Sequence, residues 1–155
     1  MGLNLKFINK ASLIAGSLDI IAACLNFYFK TGKNIGIVFR YIASALFGKQ
    51  AYTGGEEMIL IGFFLHYLIA FVFTIFFALI YRYLWTWFQH TLLIAIIYGV
   101  FAWFVMNIIV VPNSLAAKIP FTWSAGLINC LILIACIGYP LAYLFHKNTS
   151  GFNKN

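Results

Sequence analysis

Four long apolar stretches dominate the chain, at residues 8 to 29, 58 to 80, 91 to 111 and 121 to 145, and its polar positions gather in the short segments between them. Each stretch can cross a hydrocarbon core of about 30 Å as an α-helix, which takes about 20 residues. The pattern predicts an all-α integral membrane four-helix bundle, with residues 1 to 155 forming a single transmembrane domain. A shorter pattern lies between the first two spans. Ile35, Val38, Phe39, Ile42 and Leu46 fall on one stripe with Arg40 and Ser44 opposite, predicting an amphipathic helix over 35 to 47. Asn34 stands where its N-cap belongs and Gly48 where it should stop. Such a helix either lies in the interface, apolar face down, or re-enters the bilayer and carries Arg40 toward the polar side of the bundle.

Turn residues punctuate the rest. Thr53, Gly54 and Gly55 form a turn into the second span, where Glu56 and Glu57 are placed to cap a helix N-terminus. Trp85 and Trp87, with Tyr81 and Tyr83 beside Arg82, predict an aromatic belt at the turn between the second and third spans. Pro112 is expected to end the third span and Pro120 to open the fourth, while Pro140 should kink the fourth from within. The polar stretch from Lys147 to Asn155 has nothing to bury and reads as a flexible tail.

Composition agrees with a membrane class: 64% of residues are hydrophobic and 8% are charged, against roughly a quarter charged in soluble domains. The net charge of +7 comes from a shortage of acids, with no block of Lys and Arg, so a nucleic-acid surface is not expected. The expected partner is the lipid bilayer, whose anionic headgroups suit scattered loop cations. Counting Lys and Arg on the two sides of four spans gives a tie: Lys6, Lys10, Arg82, Lys147 and Lys154 against Lys30, Lys33, Arg40, Lys49 and Lys118. Discounting an embedded Arg40 tilts both termini toward the cytoplasm. Cys24, Cys130 and Cys136 lie within spans, show no metal-ligand spacing and read as small buried hydrophobes. Residues Ile21 to Cys24 resemble a lipoprotein cleavage box, but Asp19 would interrupt its apolar core and apolar residues follow the cysteine, so a retained first helix is expected.

Candidate chemistry begins at Asp19, the only acid within the four apolar stretches. A carboxylate at the bilayer centre costs about 2.5 to 3.5 kcal/mol on insertion scales, so it must face protein or water. At about 100° per residue, Ser12, Ala15, Ala23 and Asn26 share its side, while Leu13, Ile14, Leu18, Ile21, Leu25 and Tyr28 take the other. His66, Asn107 and Asn129 are the most polar residues of the other spans. At about 1.5 Å per residue, Asp19 lies near its span's midpoint and the others about 5, 9 and 6 Å from theirs, all toward the side of the Arg40 and Lys118 loops. On the second span Gly55, Gly62 and Ala70 flank His66; on the fourth Thr122, Ala125, Cys136 and Pro140 align with Asn129; Gly99 lies well round from Asn107. These small-residue stripes serve helix packing as well as a pocket. Read as a pocket, Asp19 is the buried acid, His66 its partner, the asparagines are neutral ligand groups, and Arg40 is the cation able to reach Asp19. One usable His and one carboxylate are too few for a metal site, and no cofactor is expected. No nucleophile with a supporting base is recognisable, so catalysis is not the leading expectation.

The run Phe39 to Gly48, followed by Ala51, Gly54, Gly55, Gly62, His66, Tyr98, Gly99, Met106, Asn107 and Pro112, resembles a group of small bacterial inner-membrane proteins of unestablished role. The likeness covers most of the chain. More remotely, the layout is similar to the YagU-type family, which also has four spans and a G-x-x-x-H in the second, here Gly62 to His66. The resemblance implies a bacterial cytoplasmic-membrane location and draws attention to Arg40, Gly62, His66 and Asn107. It also implies a last-span histidine near the position where this chain has Asn129, so a two-histidine mechanism does not carry over.

The leading expectation is a multi-pass protein that binds or passes a small solute or protons through an intramembrane Asp/His pocket, as a homo-oligomer or with a membrane partner subunit. The alternative is a non-catalytic accessory or assembly subunit, whose polar residues hold helices together. A lipid-modifying enzyme is a third class.

Overall fold

The computed structural model describes residues 4–118 and 122–152, and it is helical throughout the spans. Four helical runs are long and apolar enough to cross a membrane: Leu5–Thr31, Glu57–Phe88, Thr91–Asn113 and Trp123–Thr149. The chain is accordingly a multi-pass membrane bundle, with a shorter helix between the first two spans.

Helix α1, Leu5–Thr31, begins where the Asn4 side chain accepts from the Phe7 amide at 3.2 Å. It stops at Gly32, whose left-handed φ of 65° lets its amide reach back to the Tyr28 carbonyl. Helix α2, Gly36–Phe47, follows the expected range, with the Asn34 side chain accepting from the Gly36 amide and Gly48 closing it onto the Ser44 carbonyl. A single turn, α3 (Gln50–Thr53), leads into α4, Glu57–Phe88. The Glu57 carboxylate accepts from the Gly55 amide at 2.8 Å, ordering the turn ahead of α4 in place of the expected cap, and Glu56, at the N-cap, makes no side-chain capping bond. At 32 residues α4 outruns its predicted end at residue 80. Tyr81, Tyr83, Trp85 and Trp87 therefore ride on its last turns, and the connection to the third span is only Gln89 and His90.

The third and fourth spans each contain a π-helical segment. The third runs as α5 (Thr91–Phe104), a π segment at Val105–Val110, and α6 (Val111–Asn113). The fourth runs as α7 (Trp123–Leu133), a π segment at Ile134–Gly138, and α8 (Tyr139–Phe152). Both π segments end just before a proline. Val111 donates to Met106 and Tyr139 to Ile134, each five residues back, immediately ahead of Pro112 and Pro140. A proline in a helix lacks a donor and collides with the carbonyl four residues earlier; widening the turn moves that carbonyl aside. The expected kink at Pro140 thus takes the form of an inserted wide turn, and the third span passes through Pro112 to end at Asn113. Pro120 lies outside the described residues.

Packing relies on small residues, as expected where lipid is as apolar as Leu. Gly16 of α1 faces Ala70 of α4, where an added Cβ would sit 3.0 Å from the alanine methyl. A Cβ on Gly62 would overlap the Phe39 carbonyl of α2, and one on Gly138 would overlap the Ala95 carbonyl of α5. Phe77, Tyr98, Ile94, Leu141 and Phe145 build a dense core toward the end of the bundle that carries the N-terminus and the α4–α5 turn. Toward the α2 end the third and fourth spans are sparse: none of Val105–Val110 is buried, and only Gly126 is buried in α7. At the chain's C-terminal end Phe145 packs in the core, His146 stacks on Trp85 at 4.4 Å, and α8 continues to Phe152; residues 153–155, the end of the expected tail, lie outside the described residues.

Candidate functional site

The face of α1 that carries Asp19 is turned inward. Ser12 and Ala15 are 3% and 1% exposed, whereas Leu13, Ile21 and Leu25, from the opposite face, are 50% exposed or more. Asp19 itself is half-buried on the inward side. Across from it stands α4, held to α1 by two adjacent pairs. His66 Nε2 lies 2.8 Å from the Gly16 carbonyl oxygen, and the Tyr67 hydroxyl lies 2.8 Å from Ser17 Oγ. A carbonyl only accepts, so Nε2 carries the hydrogen, and a neutral His66 keeps its lone pair on Nδ1.

Asp19 follows Gly16 by nearly one helical turn, which brings its carboxylate close enough to His66 for the two charges to interact. It is also close enough to interact with Cys136, on the π segment of the fourth span. Three spans therefore come within electrostatic range of one another at this level: α1 with the carboxylate, α4 with an imidazole anchored on α1, and the fourth span with a thiol on its widened turn.

The other expected members are elsewhere. Arg40 does not go to Asp19. Its Nη1 donates to the Ala51 carbonyl at 3.0 Å and the Gly54 carbonyl at 2.6 Å, tying α2 to the turn before α4. These carbonyls compete well for the guanidinium because Arg40 leaves α2 on the side of that turn. Asn107 is exposed and folds back on its own helix, Nδ2 donating to the Trp103 carbonyl at 2.9 Å. Asn129 is exposed as well. The stripe that aligned Asn129 with Thr122, Ala125, Cys136 and Pro140 assumes an unbroken 3.6-residue period; Asn107 had no such stripe. Asn107 lies inside one π segment; Asn129 precedes the other, within which Cys136 lies. One extra residue in a turn shifts the phase by about 100°, so Cys136 can face the bundle while Asn129 does not.

Gly16, Ser17, Tyr67 and Cys136 complete the site. Cys136 was visible on a stripe with small residues; Tyr67 and Ser17 carried no signal in the sequence pattern. The Gly16 carbonyl, a backbone group, leaves no mark in a sequence. All three cysteines are free thiols, and among the described residues no group of three or more His, Cys, Asp or Glu side chains gathers to hold a metal. Compared with family models, curated proteins and solved structures, the chain matches none.

Proposed function

We propose that this chain is a bacterial cytoplasmic-membrane protein, its termini cytoplasmic, that binds or passes protons or a small protonatable solute at the Asp19–His66 pair. One observation carries this reading: an acid and an imidazole from different spans lie within electrostatic reach of each other, and the imidazole is anchored through one nitrogen so that the other is available. Groups of this kind inside a membrane are costly, and each can take or give a proton as its partner's charge changes. Without Arg40 or the asparagines, the site has few groups for a bulky polar ligand, which favours a proton or a small molecule. In proteoliposomes subjected to a pH step, Asp19→Asn should abolish proton-coupled flux while the helical spectrum persists. Unchanged flux would remove Asp19 from the function.

A second reading is favoured by the exposure of Asn107 and Asn129 on the third and fourth spans. An amide on a lipid-facing surface is stabilised by a partner helix that hydrogen-bonds to it. On this reading the protein is a subunit of a homo-oligomer or of a membrane complex. Substitution of the asparagines should then release the partner while Asp19→Asn retains it.

A further inference from the structure

An apolar groove runs along the outside of the bundle between α1 and α2, independent of the acid–imidazole pair. Both helices pack on α4 far more than on each other, so they form two walls with a gap between them. Ile20, Cys24, Leu25 and Tyr28 line one wall, Ile35 and Phe39 the other, around a volume of about 330 Å³. Water gains nothing in such a groove, whose lining offers it no cluster of hydrogen-bonding groups.

The dimensions match one leaflet. From Ile20, beside the mid-span Asp19, to Tyr28 is eight residues of helix, about 12 Å, close to the roughly 15 Å half-thickness of a hydrocarbon core. Beyond the groove, the α1–α2 turn bears the exposed Lys30 and Lys33. No acid occurs anywhere between residues 20 and 55. An apolar channel one leaflet deep, with two exposed lysines in the turn that joins its walls, suits a single phospholipid with a negative headgroup.

We propose that the α1–α2 groove holds one acyl chain of an anionic phospholipid whose phosphate lies at Lys30 and Lys33. The test uses native mass spectrometry of the full chain, released from mixed micelles of phosphatidylglycerol and phosphatidylcholine carrying the same acyl chains. The wild type should retain one phosphatidylglycerol per chain in preference to phosphatidylcholine. Lys30→Gln with Lys33→Gln should weaken that preference by about fivefold per lysine, the effect of about 1 kcal/mol for each cation at a membrane surface. Leu25→Trp, at a half-exposed position on the groove wall, should reduce retention of both lipids. A photoreactive phosphatidylglycerol, with its label in the acyl chain, reads the same site in the unaltered protein and should mark residues 20 to 28 and 35 to 39. Equal retention of the two lipids by the wild type, labelling scattered over the other spans, or a protein dimer that covers the groove and carries no lipid would each overturn the proposal.

Discussion

At the scale of single residues, the α1–α4 contact rests on His66 to Gly16 and Tyr67 to Ser17, and the two bonds have different consequences. The tyrosine–serine bond joins two neutral groups in a setting where interhelical hydrogen bonds average about 0.6 kcal/mol. Ser17→Ala and Tyr67→Phe should therefore each destabilise the bundle by about that amount, and the double variant by little more than either alone, since both remove one bond. Unfolding in mixed micelles measures all three; additive losses would mean that the two side chains act separately. The histidine bond does more than hold helices, because it selects the tautomer. Nitrogen NMR on the neutral protein should find the hydrogen of His66 on Nε2, and His66→Gln, which can still donate to Gly16, should retain the fold and lose proton coupling. A glutamine variant with wild-type coupling would show that the ring serves only as a strut.

At the scale of elements, what was legible depended on whether helical periodicity ran unbroken. Asn34 accepts from the Gly36 amide one position ahead of the N-cap of α2, Ile35; the helix's range and its stop at Gly48 could be read directly, because local bonds to neighbouring amides and carbonyls decide them. Its packing face could not. Ile35 and Leu46, from the large apolar stripe, remain 47% and 58% exposed, while Ala43 and Ser44 are buried. In a bilayer a large apolar side chain does as well against lipid as against protein, so small side chains that allow close approach make the contact. Gly62 is the clearest case, since any Cβ there meets the Phe39 carbonyl. Gly62→Ala should cost about 1 to 3 kcal/mol, the usual range for overpacking. It should also loosen α2 from α4, seen as lost cross-linking between cysteines placed at positions 36 and 59. Asp19 was legible because its helix, α1, is regular along its whole length. Asn107 and Asn129 were misplaced because the two proline-linked π segments reset the phase of the spans that carry them.

At the scale of the whole molecule, the bundle is dense toward its termini and open toward the α2 end, and both misplaced asparagines lie on spans that are sparse there. The contrast gives the subunit reading its physical content. The aromatic and aliphatic core around Phe77, Tyr98 and Leu141 can hold one chain together, so the open half need not be closed by the chain itself. A second helix laid against the third and fourth spans would bury the exposed Asn107, Ile108 and Ile109 and the exposed residues of α7, and offer its backbone or side chains to the two amides. Asn107→Leu combined with Asn129→Leu removes those amides and leaves Asp19 and His66 unaltered. If a partner covers this face, the double variant should shift the protein toward free monomer in vesicles, measured by energy transfer between labelled chains or by loss of a co-purifying subunit. Its thermal unfolding as a monomer should change little, because among the described residues neither side chain bonds to another helix: Asn107 bonds to its own, and Asn129 is exposed. A wild type that is already monomeric in vesicles, with association and co-purification unchanged by the substitutions, would leave the open half facing lipid and the subunit reading without support.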